Sequence, residues 1–146
     1  MPTCNSRYPL AFVVGALCLV PACGALFADE PPAAYADAVR QIRREAYVLG
    51  LPFDSTATAE ATVADYRSRV RDYVRHFGSR VDLWEIGNEL NGEWVGDPAD
   101  IRAKVTAAYD VVEREHADAR LRSAITLNYW PSDDCYAEPW ERTLPF

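Results

Sequence analysis

The chain has 146 residues, enough for one domain with a core of its own. Apolar residues make up 49% and charged residues 25%, the balance of an ordinary globular protein rather than a disordered or fibrous one. A net charge of −7 argues against nucleic acid or an anionic membrane surface as partner, and is silent on neutral sugars.

Residues 1–28 read as an address rather than as fold. A short polar start with one basic residue, Arg7, precedes an apolar run over 10–19. Small residues follow in Pro21-Ala22-Cys23-Gly24-Ala25. That is the order of a secretory signal peptide. A membrane span is the competing reading of 10–28. Pro21, the small residues and the weak flanking charge favour the signal. Val20-Pro21-Ala22-Cys23 also resembles a bacterial lipobox, although Pro21 fits it poorly. Residues 1–28 are therefore a signal peptide or a lipoprotein signal, and 29–146 the domain. The expected product is secreted or periplasmic, with a membrane anchor if Cys23 carries lipid. Cys4 and Cys18 leave with the signal, so Cys135 stands alone and no internal disulfide framework exists. His76 and His116 lie on predicted helices far apart, a spacing that suits no metal, and no cofactor is implied.

The domain alternates helices and strands. After a polar linker at 29–32, residues 33–45 read as a helix with Ala36, Val39 and Ile42 on one side. Residues 46–53 are nearly all apolar, as in a strand buried on both faces. Asp54-Ser55-Thr56 follows as a polar turn; Asp54, at a strand's carboxyl end, either lines a pocket or has turn chemistry as its role, and turn chemistry is favoured. Thr62 and Asp65 form a capping-box variant. It opens a helix with Val63, Tyr66, Val70, Tyr73, Val74 and Phe77 on one face. Arg67, Arg69, Arg71 and Arg75 fall on a solvated face, and Gly78 ends the helix as a left-handed cap.

Residues 81–88 form the next strand. Asp97 and Pro98 then start a helix whose buried stripe is Ile101, Val105, Ala108 and Val112, fading near 116–119. Residues 123–130 are a third strand, and 135–146 hold no clear element. Strand, helix, strand, helix, strand implies parallel pairing. The fold class is α/β.

The stretch Trp84-Glu85-Ile86-Gly87-Asn88-Glu89-Leu90-Asn91-Gly92-Glu93-Trp94 carries the chemistry. It passes from an apolar strand to a polar, glycine-marked turn, and in parallel βα units that changeover is where chemistry is placed. One reading makes Glu89 a solvated loop acid; the other makes it a proton donor in a pocket. Trp84-Glu85-Ile86-Gly87-Asn88-Glu89 resembles the strand-four signature of the clan of retaining glycoside hydrolases built on (β/α)8 barrels. Trp84 before the motif and Asn91-Gly92-Glu93-Trp94 after it look most like its arabinofuranosidase and xylosidase branches.

The resemblance covers residues 46–131. It implies a partial TIM barrel of three to four βα units, Glu89 as general acid/base, Asn88 as the residue that holds the sugar hydroxyl, and carbohydrate as substrate. It also implies a nucleophilic Glu at the end of strand seven, for which this chain shows no strand. A whole barrel takes about 250 residues. Glu85 is four residues before Glu89, about 13 Å along an extended strand. Glu93, Glu138 and Glu141 lie in loops that nothing marks as nucleophilic. Trp130 at a strand end, and Trp94 beyond Glu89, are candidate sugar platforms, because indole faces stack on sugar rings; Trp84 reads as core. Asn128 is a further candidate for the pocket side.

The expectation is an incomplete barrel that carries the acid/base half of a glycosidase and hydrolyses little. Its open sheet edges invite self-association. The rivals are a non-catalytic carbohydrate-binding protein and a structural lipoprotein in which Glu89 does nothing.

Overall fold

A computed structural model describes residues 30–128. The signal or lipoprotein segment, Cys23, Trp130, Cys135 and the loop acids Glu138 and Glu141 lie outside the described residues.

The elements run α1 (Ala36–Ile42), β1 (Leu49–Gly50), α2 (Ser55–Thr58), α3 (Val63–Phe77), β2 (Leu83–Gly87), α4 (Pro98–Tyr109) and β3 (Ser123–Ile125). Short 3-10 turns join several of them, and α4 runs on into a π-helical segment, Asp110–Glu115. The three strands form one sheet in the order β1-β2-β3, parallel throughout. The protein is thus α/β with a small parallel sheet.

The strands are shorter than their apolar runs. In 46–53 only Leu49 and Gly50 pair with β2, and Tyr47 is 89% and Leu51 40% exposed. The expectation of a strand buried on both faces is corrected here: Val48 and Phe53 reach the core, while Tyr47 and Leu51 do not. The register is set before β2 begins. The Asp82 carboxylate accepts from Val48 N–H at 2.7 Å, and Val48 C=O accepts from the amides of Asp82 and Leu83. The third strand closes at Ile125, after a register shift in which β2 steps from Glu85 to Gly87 while β3 steps from Ala124 to Ile125.

The helices pack on one face of the sheet. Trp84 and Ile86 of β2 point into them and meet Tyr66, Val70, Val74, Ala108, Val111 and Val112. Alternation sends Leu83 and Glu85 to the other face. Gly50 lies against the Trp84 ring, where a Cβ would come within 3.0 Å of the indole. Phe53 stacks on Tyr66 with centroids 4.4 Å apart, and the Tyr66 hydroxyl donates to Ile86 C=O at 3.0 Å. Burial, with Glu85 nearby, pushes the Tyr66 hydroxyl well above its ordinary value, so it stays a donor.

Helix α3 begins as its sequence indicates. Thr62 Oγ1 accepts from Asp65 N–H, and Asp65 returns a bond to Thr62 N–H. Gly78 ends it at φ 52° and ψ −127°, a positive-φ cap that lies outside the helical left-handed basin. The arginine face is less solvated than its pattern suggests. Arg69 donates to Pro52 C=O at 2.6 Å and lies over the rings of Phe53 and Tyr73. Its planar guanidinium can stack and donate at once, which an ammonium cannot. Arg67 and Arg71 both pair with Glu115 of the π segment, at 2.5 and 2.7 Å.

Helix α3 yields two predictions. Thr62→Ala is expected to lower stability by about 1 kcal/mol, seen as a lower urea midpoint at unchanged slope. The two guanidiniums hold the Glu115 carboxyl at about 2, against an ordinary 4.5. A depressed carboxyl stabilises the fold above its ordinary value, and that contribution fades as pH falls through the folded value. The gap in urea midpoint between wild type and Glu115→Gln is therefore expected to narrow from pH 6 toward pH 2.

Candidate functional site

The carboxyl ends of all three strands meet in one polar cluster. Ser55 comes from the turn after β1, Asn88 and Glu89 from the turn after β2, and Thr126 from the residue after β3. Glu85, inside β2, completes it and is 5% exposed.

Thr126 is the hub. Its hydroxyl donates to Glu85 Oε1 at 2.5 Å and accepts from Asn88 Nδ2 at 3.3 Å and from Glu89 N–H at 3.1 Å. One donor and two lone pairs are all a hydroxyl has, and all are engaged. The Thr126 backbone also bridges the strands: its N–H donates to Gly87 C=O and its C=O accepts from Leu90 N–H.

Asn88 has the amide orientation the network demands. Nδ2 donates to Glu85 Oε1 at 2.9 Å and to Thr126, while Oδ1 accepts from Ser55 N–H at 3.0 Å. A flipped amide would set its oxygen against the Glu85 carboxylate and its nitrogen against another donor.

Glu89 is held at both ends. Its backbone has φ 50°, one of two non-glycine residues with positive φ among those described. Its N–H is fixed by Thr126, its C=O accepts from Gly92 N–H at 2.8 Å, and its Oε2 accepts from Ser55 Oγ at 2.9 Å. A side chain forced into the left-handed region costs about 1–3 kcal/mol and persists only where neighbours over-determine it. The twist turns the Glu89 side chain out of the β2 line and toward Ser55, leaving it half-buried.

The glycines of the motif make room. At Gly87 a Cβ would come within 2.8 Å of the buried Leu90 side chain, and at Gly92 within 2.6 Å of the Trp94 ring. Trp94 thus lies on the Gly92 backbone and packs against the small cluster of Leu90, Val95 and Ile101. It is half-buried beside the turn that carries Glu89. Trp84 is core, as its position in the strand implies. Asn128 is tied by its backbone to the Asn91 side chain, which accepts from its N–H at 2.7 Å and donates to its C=O at 2.8 Å.

Three participants escape a sequence reading. Glu85 passes for a strand acid with no partner, yet it anchors Asn88 and Thr126. Ser55 and Thr126 are ordinary turn hydroxyls, and their contacts lie 34 to 41 positions away. Asp54 does have the turn role: it caps α2, accepting from the N–H and hydroxyl of Thr56. Among the described residues no three His, Cys, Asp or Glu side chains are grouped to hold a metal. No family model, no curated protein and no solved structure matches the chain.

Thr126→Val keeps the shape and removes the hub. It is expected to cost about 1.5–3 kcal/mol, because a buried carboxylate and a half-buried amide each lose a partner. Thr126→Ser is expected to stay near wild type. Paired urea titrations check both.

Proposed function

We propose that this chain carries the acid/base half of a retaining glycoside hydrolase of partial (β/α)-barrel type, with carbohydrate as its ligand. The observation that carries the reading is the placement of Glu89. It sits beside Asn88 at the carboxyl end of a central parallel strand, half-buried, on a backbone of positive φ held by Thr126 and Ser55. Strained, over-determined backbone gathers where a side chain must be aimed, and parallel sheets present their chemistry at that end.

In this reading Glu89 hands a proton to the departing glycosidic oxygen and later takes one from water. Asn88, its two amide hydrogens engaged by Glu85 and Thr126, meets a sugar hydroxyl with the second lone pair of its Oδ1 and fixes where the acid lies. Trp94 supplies an apolar ring near the turn, and Trp130 is assigned the same task.

Retention requires a second carboxyl about 5–5.5 Å from the first. Among the described residues, Asp54 is turned to Thr56, and Glu85 is buried under two donors. Both have positioning duties, and neither is free to attack an anomeric carbon. This favours a second reading, saccharide binding without turnover by the chain alone. The address at 1–28 belongs to the same proposal: export, with anchoring through Cys23 if it is lipidated.

The test is titration of the purified chain with arabino- and xylo-oligosaccharides, read by tryptophan fluorescence, beside an assay with aryl glycosides. Saturable quenching without nitrophenol release is expected, and Glu89→Gln is expected to leave the quenching in place. Release abolished by Glu89→Gln would show that the nucleophile is present as well. A chain that neither binds nor cleaves these sugars refutes the proposal.

A further inference from the structure

Helix α4 contains a residue that its apolar stripe does not account for. Lys104 lies between Ile101 and Ala108 and is 1% exposed, as buried as they are. A methionine of similar length would pack there without the desolvation cost of an ammonium, which is heavy unless its protons are matched. The stem therefore does not explain the residue; the head must.

The Lys104 ammonium donates to Thr58 C=O at 2.8 Å and pairs with Asp100, one turn earlier on α4. Thr58 is the last residue of α2 and is 2% exposed. The first residue of α2 is Ser55, which donates its N–H to Asn88 and its hydroxyl to Glu89. A helix of one turn has no stability of its own. Its position is set by what holds its two ends. Asp54 closes the first turn locally, and Lys104 grips the last carbonyl from a long helix 46 positions away.

We infer that Lys104 is a positioning residue for the candidate site: by gripping Thr58 it fixes α2, and through α2 it fixes Ser55 against Asn88 and Glu89. The bonds of its ammonium go to Thr58 and Asp100, so its route to the site is the short helix. The inference rests on the proposed function for its consequence, a correctly aimed Glu89, but the geometry it describes is measured without any sugar.

The experiment is amide hydrogen exchange, read by NMR on the full chain, for wild type and Lys104→Met. The variant keeps the buried stem and removes the grip. Exchange at Ser55, whose N–H is bonded to Asn88, is expected to rise by about tenfold or more, while Val70 and Val74 in the middle of α3 change far less. Unchanged protection at Ser55, or equal acceleration at Ser55 and Val70, overturns the inference, because the lysine then serves general stability or nothing. If Lys104→Met does not fold, Asp100→Asn is read in its place. It alters a half-exposed partner and is expected to speed Ser55 above α3 by a smaller factor; the same two negative outcomes apply. Loss of sugar binding in wild type would defeat the glycosidase reading and leave this result standing.

Discussion

A carboxylate buried within a strand must be satisfied or the strand that carries it will not sit there. Glu85 meets that constraint with two donors, the Asn88 amide and the Thr126 hydroxyl, drawn from the ends of two different strands. The whole carboxyl end of the sheet is arranged around it. Asn88 is oriented by Glu85 and so turns its carbonyl to Ser55. Thr126 is oriented by Glu85 and can offer its lone pairs only to Asn88 and Glu89. Glu89 then takes an unusual backbone angle because its N–H has one place to go.

The cluster also explains why such short strands pair so definitely. β1 and β3 contribute two and three residues, little hydrogen bonding for a sheet. The bonds beyond their ends add the missing links: Asp82 with Val48 at one end, and Thr126 with Gly87 and Leu90 at the other. Helix packing then covers a single face through Trp84 and Ile86. The same chain segments therefore build the sheet and the site, and neither can be changed alone.

Much of the helical scaffold was legible in the amino-acid order, because its causes are local. The Thr62–Asp65 box, the Asp97-Pro98 start and the apolar stripe of α3 each act within a few residues. Strand limits were less legible: an apolar run such as 46–53 says that residues are wanted inside, not that they pair, and Tyr47 shows the difference. The Asn88–Glu89 pair stood out through its resemblance to a motif. Its supports did not, since Ser55 and Thr126 are commonplace residues whose meaning comes from the fold. Glu85 and Lys104 did not stand out either. Glu85 falls in the alternate register to Trp84 and Ile86, where a polar residue is ordinary, and Lys104 lies unnoticed beside the apolar stripe of α4; each proves to hold two elements together.

The π-helical segment at Asp110–Glu115 has a consequence for how this protein tolerates change in length. The wider turn gives Glu113 a reach to the N–H and hydroxyl of Ser123, while Glu115 faces Arg67 and Arg71 on α3. Removing one residue there would restore ordinary α-helical phase and rotate the rest of the segment by about 100°. Glu113 and Glu115 would each be turned away from their present partners, and β3 would lose its side-chain anchor at the start. An insertion or deletion in the surface turn at 116–120 would leave both contacts alone. The extra residue is therefore a spacer that indexes β3 to the helices, and the chain can drift in length just beyond it but not within it.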